Sequence, residues 1–349
     1  MAAPHLNPRT WRLLLIQLGT LLGSIAVAAL LAFAAKESSA GTLRPWDELF
    51  GVAITPFKAF IVGGEGLLLT SSDNGASWSR RLLAASGGGR PVSDRDLFSI
   101  SFDQSGLHGW IAGADGLILA SDDAGETWHK QASGTNDALF KSVAIGSRSA
   151  CVAGENGTIE CTTDGGLHWL QGQGVPPISF FDITFTDRNA GWASGEFQTV
   201  LSSSDGGLRW KVAHSADSTS FEIPPYFSVV PSGPGALLVT EQGGGALSTR
   251  NDGQTWNAVA LPSANSILAG AYCDSLGVSR GLPQTGTLSL VGKHGTILLS
   301  VNGGISWHTV GLSPADLNDV EFGKSYGLIV GMQGTVLRTP DAVHWSKVN

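Results

Sequence analysis

Acidic residues recur at one kind of place in this sequence, inside short turns between apolar runs. The turns read GEG, ADG, ENG, EFQ and EQG, and their acids are Glu65, Asp115, Glu155, Glu196 and Glu241. The corresponding turns further along hold Lys293-His294 and Met332-Gln333 instead. If these turns converge on one face of the fold, five carboxylates form an arc that could attract a basic partner segment or a cation. The alternative is that acidic residues occur in these turns because they suit the turn conformation, without a role in binding.

A second candidate surface is the longest segment between repeats, RRLLAASGGGRPVSDRD (80–96). It is locally basic in an acidic chain, since it holds Arg80, Arg81, Arg90 and Arg95. The comparable segment HSADSTSFEIPPY (214–226) adds two aromatic residues that we expect to be exposed, Phe221 and Tyr226. Loops at the rim of a rigid scaffold often carry recognition. Both segments are therefore candidate partner-binding surfaces, with a solvated loop as the alternative.

An eight-residue motif recurs seven times and must position these loops. SSDNGASW ends at Trp78, and its copies end at Trp128, Trp169, Trp210, Trp256, Trp307 and Trp345. Each copy follows a Gly-containing turn and a β-prone run; LFSISF (97–102), WIAGA, LILAS and WHKQA illustrate one unit. A period of about 40–45 residues with four short strands is typical of one propeller blade. The sequence therefore predicts an all-β, seven-bladed β-propeller.

The motif residues have a structural explanation. The Ser or Thr and the Asp can hydrogen-bond the turn's own backbone. The Gly can adopt positive φ, and the Trp buries a large apolar face while its indole N–H finds a partner. We assign this clamping role to each Trp and to Asp73, Asp123, Asp164, Asp205, Asn251, Asn302 and Asp341. Asn replaces Asp in copies five and six, and copy seven lacks its Gly, so blades five to seven depart from the motif.

This motif is the Asp-box, or BNR repeat. Seven copies, each preceded by a Gly-type turn and an Ile/Leu-rich strand, resemble the photosystem II stability and assembly factor family of plastids and cyanobacteria, over residues 46–349. The resemblance implies a seven-bladed propeller outside the cytosol that acts as an assembly factor without enzymatic activity. It implies no cofactor.

The N-terminal residues differ from the repeats. Residues 13–35, LLLIQLGTLLGSIAVAALLAFAA, carry no charge, and about 20 such residues cross a bilayer core. Arg9 and Arg12 precede this run, which places the N-terminus in the cytoplasm. We expect a cytoplasmic segment at 1–12, a transmembrane anchor at 13–35, a linker at 36–45 and a periplasmic or equivalent propeller at 46–349, held at the inner membrane. A cleaved signal peptide is the alternative.

Two glycines of the predicted anchor, Gly19 and Gly23, lie one helical turn apart. Small residues let a second helix approach closely in lipid. We therefore expect this stripe to pack against an integral membrane protein, although glycine is frequent in membrane helices for other reasons.

Charge excludes one class of partner. Without Arg9, Arg12 and Lys36, 18 basic residues remain against 29 acidic ones. The basic footprint of a nucleic-acid-binding protein is therefore missing. Such an acidic surface also disfavours contact with anionic lipid beyond the anchor.

Catalysis has little support in the sequence. Sialidases share the Asp-box but need three Arg, a Tyr nucleophile with a Glu partner and an Asp acid/base. Their first Arg lies in a Phe-Arg-Ile-Pro motif, and the nearest match here is Phe221-Glu222-Ile223-Pro224, where Glu would repel the substrate's carboxylate. The eight His are scattered, and no Gly-rich string opens a helix, so no metal or dinucleotide site is predicted.

One pair of cysteines flanks a predicted hairpin. Cys151 and Cys161 in CVAGENGTIEC are centred on its turn, so they should lie opposite each other on adjacent strands. An exported domain permits a disulfide there, with two reduced cysteines as the alternative.

The function that these observations favour is a membrane-anchored, non-enzymatic propeller that binds an integral membrane protein or complex as an assembly or stability factor. A structural or accessory subunit of a membrane transporter complex is the alternative. A sialidase-like glycoside hydrolase is disfavoured by the missing catalytic residues.

Overall fold

The computed structural model describes residues 43–81, 83, 94–216, 222–273 and 286–348. The predicted anchor with Gly19 and Gly23 lies outside these ranges, as do Arg90 and Phe221. None of the helices within the ranges is both long enough and apolar enough to span a bilayer.

Within the described ranges, 28 strands form seven antiparallel sheets, each from four consecutive strands. The first four blades comprise β1 Leu49–Ile54, β2 Ala59–Gly63, β3 Leu68–Ser71, β4 Ser79–Arg81, β5 Leu97–Phe102, β6 Gly109–Gly113, β7 Ile118–Ser121, β8 His129–Gln131, β9 Leu139–Gly146, β10 Ser149–Gly154, β11 Ile159–Thr162, β12 Leu170–Gln171, β13 Phe180–Phe185, β14 Gly191–Gly195, β15 Thr199–Ser203 and β16 Lys211–His214. The other three comprise β17 Tyr226–Gly233, β18 Ala236–Glu241, β19 Ala246–Thr249, β20 Asn257–Ala258, β21 Ile267–Cys273, β22 Thr287–Gly292, β23 Thr296–Ser300, β24 His308–Leu312, β25 Leu317–Phe322, β26 Gly327–Gly331, β27 Thr335–Thr339 and β28 Ser346–Lys347.

The predicted all-β, seven-bladed propeller is confirmed by this topology. The run LFSISF forms β5, and the three β-prone runs after it form the rest of the second blade. Short strands of this kind are stable because β-branched and aromatic side chains pack between blades. The interface of the first two blades, for example, buries Phe60 and Leu68 with Leu97, Ile111 and Trp128.

The alternating strand directions define two faces. We call the face that carries the blade-to-blade linkers and the turns between second and third strands the linker face. Leu49 pairs with Gly63, so the start of each first strand lies at this face, beside the turn that follows the second strand. The opposite face, the Asp-box face, carries the seven motif turns.

One backbone hydrogen bond recurs between blades and also closes the ring. The N–H of Gly66 donates to the carbonyl of Arg95 at 2.7 Å, linking the first turn to the linker before the second blade. The N–H of Gly334 in the last blade donates to the carbonyl of Asp47, before the first blade, at 2.7 Å. The same hydrogen bond therefore joins the last blade to the first blade and each of the other pairs of neighbouring blades that it links.

These turns hold two consecutive left-handed residues, where the sequence indicated one. Glu65 has a φ of 55° and Gly66 a φ of 69°. A Cβ on Gly66-type positions would also crowd the linker, since at Gly334 it would lie 2.1 Å from the carbonyl oxygen of Arg44. Glycine last in the turn thus suits both the conformation and the close approach, although Gln198 takes this position in the fourth blade with a φ of 52°.

Candidate protein-binding face

Each Asp-box is a self-contained hydrogen-bonded turn. In the first copy, the N–H of Gly75 donates to Ser71 Oγ and the N–H of Ser77 donates to Asp73 Oδ1, both at 2.9 Å. Hydrogen bonds from Ser77 and Ser71 lower the pKa of Asp73 to about 2. The carboxylate therefore serves the turn and is not a general acid. Equivalent N–H bonds reach Asp123, Asp164, Asp205 and Asp341.

The two Asn-containing boxes have the same geometry. Asn251 Oδ1 accepts the N–H of Thr255 at 3.0 Å, and Asn302 Oδ1 accepts the N–H of Ser306 at 2.9 Å. The turn requires an acceptor oxygen, which an amide supplies as well as a carboxylate does.

The motif tryptophans pack as the sequence predicts, but their indole N–H groups do not all find partners. Trp78, Trp128, Trp210 and Trp307 are buried, and Trp169, Trp256 and Trp345 are half-buried. The indoles at Trp169, Trp210 and Trp307 donate to an oxygen. Those at Trp78, Trp128, Trp256 and Trp345 have no acceptor among the described residues. Burial of the apolar ring is therefore the common contribution.

The five turn acids all lie on the linker face, but in different surroundings. Glu65 and Asp115 are the middle residues of their turns and are exposed. Glu155 and Glu196 come first in theirs, are half-buried, and accept backbone N–H bonds from Ala138 at 3.1 Å and Ser179 at 2.9 Å. Glu241 accepts the amide of Gln198 across the fourth and fifth blades at 2.6 Å.

Of the described arginines of the basic segment, Arg81 reaches the neighbouring blade, whereas Arg80 and Arg95 form ion pairs close to their own blades. Arg80 forms an ion pair of 2.6 Å with Asp47, and Arg81 donates to the carbonyls of Gly125 and Glu126 at 2.8 and 2.6 Å. Arg95 is only 9% exposed and lies 3.8 Å from Asp115. The expected exposed basic surface is therefore not formed by Arg95, because its guanidinium is buried beside the acidic turn of its own blade.

Tyr226 corrects a second expectation. It is 1% exposed rather than exposed, because it is the first residue of β17 and takes the inward core position that Leu49 and Leu97 take in their blades. Its hydroxyl lies 3.3 Å from His214 Nε2. Both residues line a groove of about 560 Å³ between the fourth and fifth blades, together with Gln198, Glu241 and Leu247.

Cys151 and Cys161 are directly paired across β10 and β11, as their spacing predicts, with Cα atoms 4.1 Å apart and a disulfide between them. Both are buried against the fourth blade beside Trp210. Cys273 is buried at the end of β21 and lies outside this bond.

The most prominent feature of the linker face was not anticipated from the sequence: an arc of five phenylalanines around the central channel. We call Phe50, Phe98, Phe140, Phe181 and Phe227 the phenylalanine arc. Neighbouring ring centroids lie 5.6 to 5.8 Å apart through five consecutive blades. Each of the five residues is half-buried, so part of each remains accessible to solvent. Leu268 and Asn318 take the equivalent positions in the last two blades and also line the channel.

A sequence signal for the arc exists. Each first strand opens with a buried apolar residue followed by the arc position: LF, LF, LF, FF, YF, IL and LN. A core needs only the first of the pair. The second residue lies in a β-bulge, as Phe98 does between Leu97 and Ser99. The bulge directs the side chain of this extra residue toward the channel.

A layer of charge lies in the channel beside the arc. Lys141 Nζ lies 3.6 Å from Asp319 Oδ1, and Asp182 also faces this lysine. Burial alone would lower the pKa of Lys141, but the surrounding carboxylates, Asp319 first, raise it above its usual value. Burial and the neighbouring Asp319 raise the pKa of Glu321 to about 8.

The two channel aspartates also join blades. Asp182 Oδ2 accepts the N–H of Val229 in the next blade at 3.0 Å. Asp319 Oδ2 accepts the N–H of Val52 at the same distance, across the closure of the ring. Their carboxylates are therefore held by the fold.

Seven sheets, seven Asp-box turns and a closed ring define this protein as a seven-bladed Asp-box β-propeller with an aromatic channel mouth. The sequence profile described as photosynthesis system II assembly factor YCF48 matches residues 47–174 and 175–271. The chain belongs to this family, as its repeats indicated. A search of curated protein sequences found no significant match.

Solved structures share the fold at low identity. The structure of YCF48 bound to D1 peptide aligns with 85% of this chain and 94% of its own, at 21% identity and a TM-score of 0.66. YCF48 from Cyanidioschyzon merolae aligns with 84% of this chain and 95% of its own, at 18% identity and a TM-score of 0.63. The GH74 xyloglucanase from Xanthomonas campestris aligns with 86% of this chain but only 53% of its own, at 12% identity and a TM-score of 0.65. At these sequence identities, the structural similarity shows a shared fold.

Proposed function

We propose that this chain is a non-enzymatic propeller that binds other proteins as an assembly or stability factor for a membrane protein complex. Membership of the YCF48 family supports the proposal. So does the related structure in which YCF48 is bound to a D1 peptide. A protein of this kind needs a surface that can hold a partner segment without chemical change.

The observation that carries the proposal is the phenylalanine arc. Five aromatic side chains at equivalent positions form a continuous row at the channel mouth, and each of them is partly exposed. Aromatic residues supply large contact area at low conformational cost and are enriched in protein interfaces. The arc is therefore the part of the linker face best suited to receive a partner.

The absence of catalysis is part of the same proposal. Glycoside hydrolases require two carboxyl groups that can act as acid and as base or nucleophile. The channel carboxylates of Asp182 and Asp319 instead hold backbone N–H groups of neighbouring blades and face Lys141. Because both carboxylates stabilise contacts between blades, this arrangement favours a binding function over hydrolysis.

The proposal includes an anchor at residues 13–35, with the propeller outside the cytoplasm. The uncharged run and the two arginines before it support this arrangement. A helix in the bilayer would keep the propeller near membrane proteins during their assembly. Protection of the propeller from protease in intact cells, lost on permeabilising the outer envelope, would test this location.

Purification of the tagged full-length chain from mild detergent tests the function. We expect recovery of an integral membrane protein, enriched in pulse-labelled, newly made complexes and depleted from mature ones. Constant stoichiometry with a mature transporter would instead indicate an accessory subunit. Recovery of no integral membrane protein above the untagged control would contradict the proposal.

A further inference from the structure

We infer that the linker face receives a peptide segment with an aliphatic or aromatic side chain between lysines or arginines. This inference rests on the proposed function and names the chemistry of the partner at the same site. It follows from three features of the face: the partly exposed rings of the phenylalanine arc, the charge around them, and the ion pair of Lys141 beside them in the channel.

The arc is apolar beyond what the fold requires. Leu268 and Asn318 occupy the same position in two blades, and their sheets have the same strand order as the others. A phenylalanine at this position is therefore not needed to form a blade. Five of them in adjacent blades create a continuous aromatic surface, which favours burial of one apolar side chain of a partner.

Two further aromatic residues extend this character across the linker face. Trp46, just before the first blade, is 63% exposed, and Phe197, at the tip of the turn in the fourth blade, is 53% exposed. Phe197 adopts a φ of 55°, a strained conformation for a bulky residue. Exposed aromatics rimmed by polar residues mark an interaction surface.

The charge around the arc is negative. Exposed Glu48 and Glu65 and half-buried Asp96 and Asp137 belong to the segments and turns next to the first strands. Three cations of this face already have acidic partners: Arg80 with Asp47, Arg95 with Asp115, and Lys293 with Asp316. Arg44 lies over the ring of Trp46. The remaining surface complements a basic segment and repels an acidic one.

The positions of the apolar arc and the acidic rim orient such a segment. Lys141 follows Phe140 in the chain and carries its charge inside the channel, paired with Asp319. Asp319 and Asp182 already face Lys141, so these carboxylates are not free to bind a partner's ammonium or guanidinium. The apolar side chain therefore enters the arc, and the basic residues on either side of it meet the acids of the rim.

Other occupants fit the face less well. Phosphates of nucleic acids and of anionic lipid headgroups would meet the acidic rim, and their recognition needs a basic surface. A peptide that supplies both an apolar centre and cationic flanks satisfies both parts of the face.

Selection of a random peptide library on the full-length chain in mild detergent tests this inference. We expect enrichment of peptides with one Leu, Ile, Phe or Trp between Lys or Arg residues. Phe98→Asn, which introduces the residue type that the seventh blade has at this position, should weaken the best of them roughly tenfold, as loss of an aromatic anchor does at other interfaces. Leu208→Asn, at an exposed apolar residue of the Asp-box face, is the matched control and should leave binding unchanged.

Charge is tested separately with synthetic peptides containing Lys-Leu-Phe-Lys or Glu-Leu-Phe-Glu. Binding of the first should fall with added salt and with the double substitution Glu48→Gln and Glu65→Gln, while circular dichroism of the variants stays unchanged. Enrichment of acidic peptides, or equal affinity for both synthetic ones, would overturn the inference and leave protein binding intact. If no peptide is enriched although a membrane protein copurifies, this peptide chemistry is wrong. If neither occurs, the proposed function fails as well.

Discussion

Lys141 Nζ of the third blade lies 3.6 Å from Asp319 Oδ1 of the seventh, so one ion pair joins two blades that are not neighbours. Asp319 also accepts the N–H of Val52 and thereby takes part in the closure of the ring. The charged centre of the channel thus connects three blades, and it lies beside the aromatic mouth that we propose as the binding surface.

Lys141→Met should destabilise the propeller by about 1–3 kcal/mol, because it leaves the carboxylates of Asp182 and Asp319 without their cation while solvent still screens this partly exposed site. Chemical denaturation monitored by tryptophan fluorescence measures the change. Lys130→Met, at an exposed position of β8, is the matched control and should alter stability by less than about 0.5 kcal/mol. Equal, small effects of both substitutions would show that the ion pair across the channel contributes nothing to stability.

Glu321 should make stability depend on pH. Burial raises its pKa from 4.5 to about 8, so the folded state holds a proton that the unfolded state releases. Its favourable contribution is complete below pH 4.5 and is lost as the pH rises to about 8. Glu321→Gln should therefore flatten the fall in unfolding free energy over this range. An unchanged slope in the variant would refute the assignment.

Trp128→Ala should cost roughly 3–5 kcal/mol of unfolding free energy, because it leaves a cavity in the interface of the first two blades. The indole is buried and its ring centroid lies 5.8 Å from that of Phe102. His168→Ala removes only an exposed pair with Asp164 and should cost less than about 1 kcal/mol. The tryptophans would not be the clamps of the blades if urea unfolding found the two variants equally stable.

Gly19→Ile with Gly23→Ile should reduce recovery of the membrane partner while preserving membrane insertion. The substitution keeps the run apolar but prevents close approach of a second helix. Pull-down from mild detergent, normalised to the amount of membrane-inserted chain, measures the effect. The same partners at the same yield would indicate that the predicted helix is a tether and that the propeller alone provides recognition.

Much of the fold could be predicted from sequence because its determinants are local. The strand at 97–102, the Gly-containing turns and the Asp-box clamps each depend on residues within one repeat. The same locality explains why Asn251 and Asn302 do not disturb their blades: the clamp needs one acceptor oxygen, and the amide provides it.

The candidate site was harder to predict because it depends on residues of several blades that only the packing of those blades brings together. Phe50 and Phe227 belong to one arc although three blades lie between them in sequence. The sequence predicts Arg95 and Tyr226 to be loop residues, but Tyr226 begins β17 and Arg95 lies beside the turn of the second blade, and both are buried. Contacts such as that of Asp319 with Val52 have no local signature.

The central claim is that the phenylalanine arc contacts a membrane protein in the cell. Its most direct test is a photo-reactive benzoylphenylalanine placed at Phe98 in the full-length chain and, as control, at Leu208 on the Asp-box face. After illumination of intact cells, mass spectrometry identifies the cross-linked peptides. We expect residue 98 to capture an extracytoplasmic segment of an integral membrane protein, with lysine or arginine beside an apolar residue, and residue 208 to capture none. Capture of that protein from residue 208 alone, or from neither position, would contradict the claim.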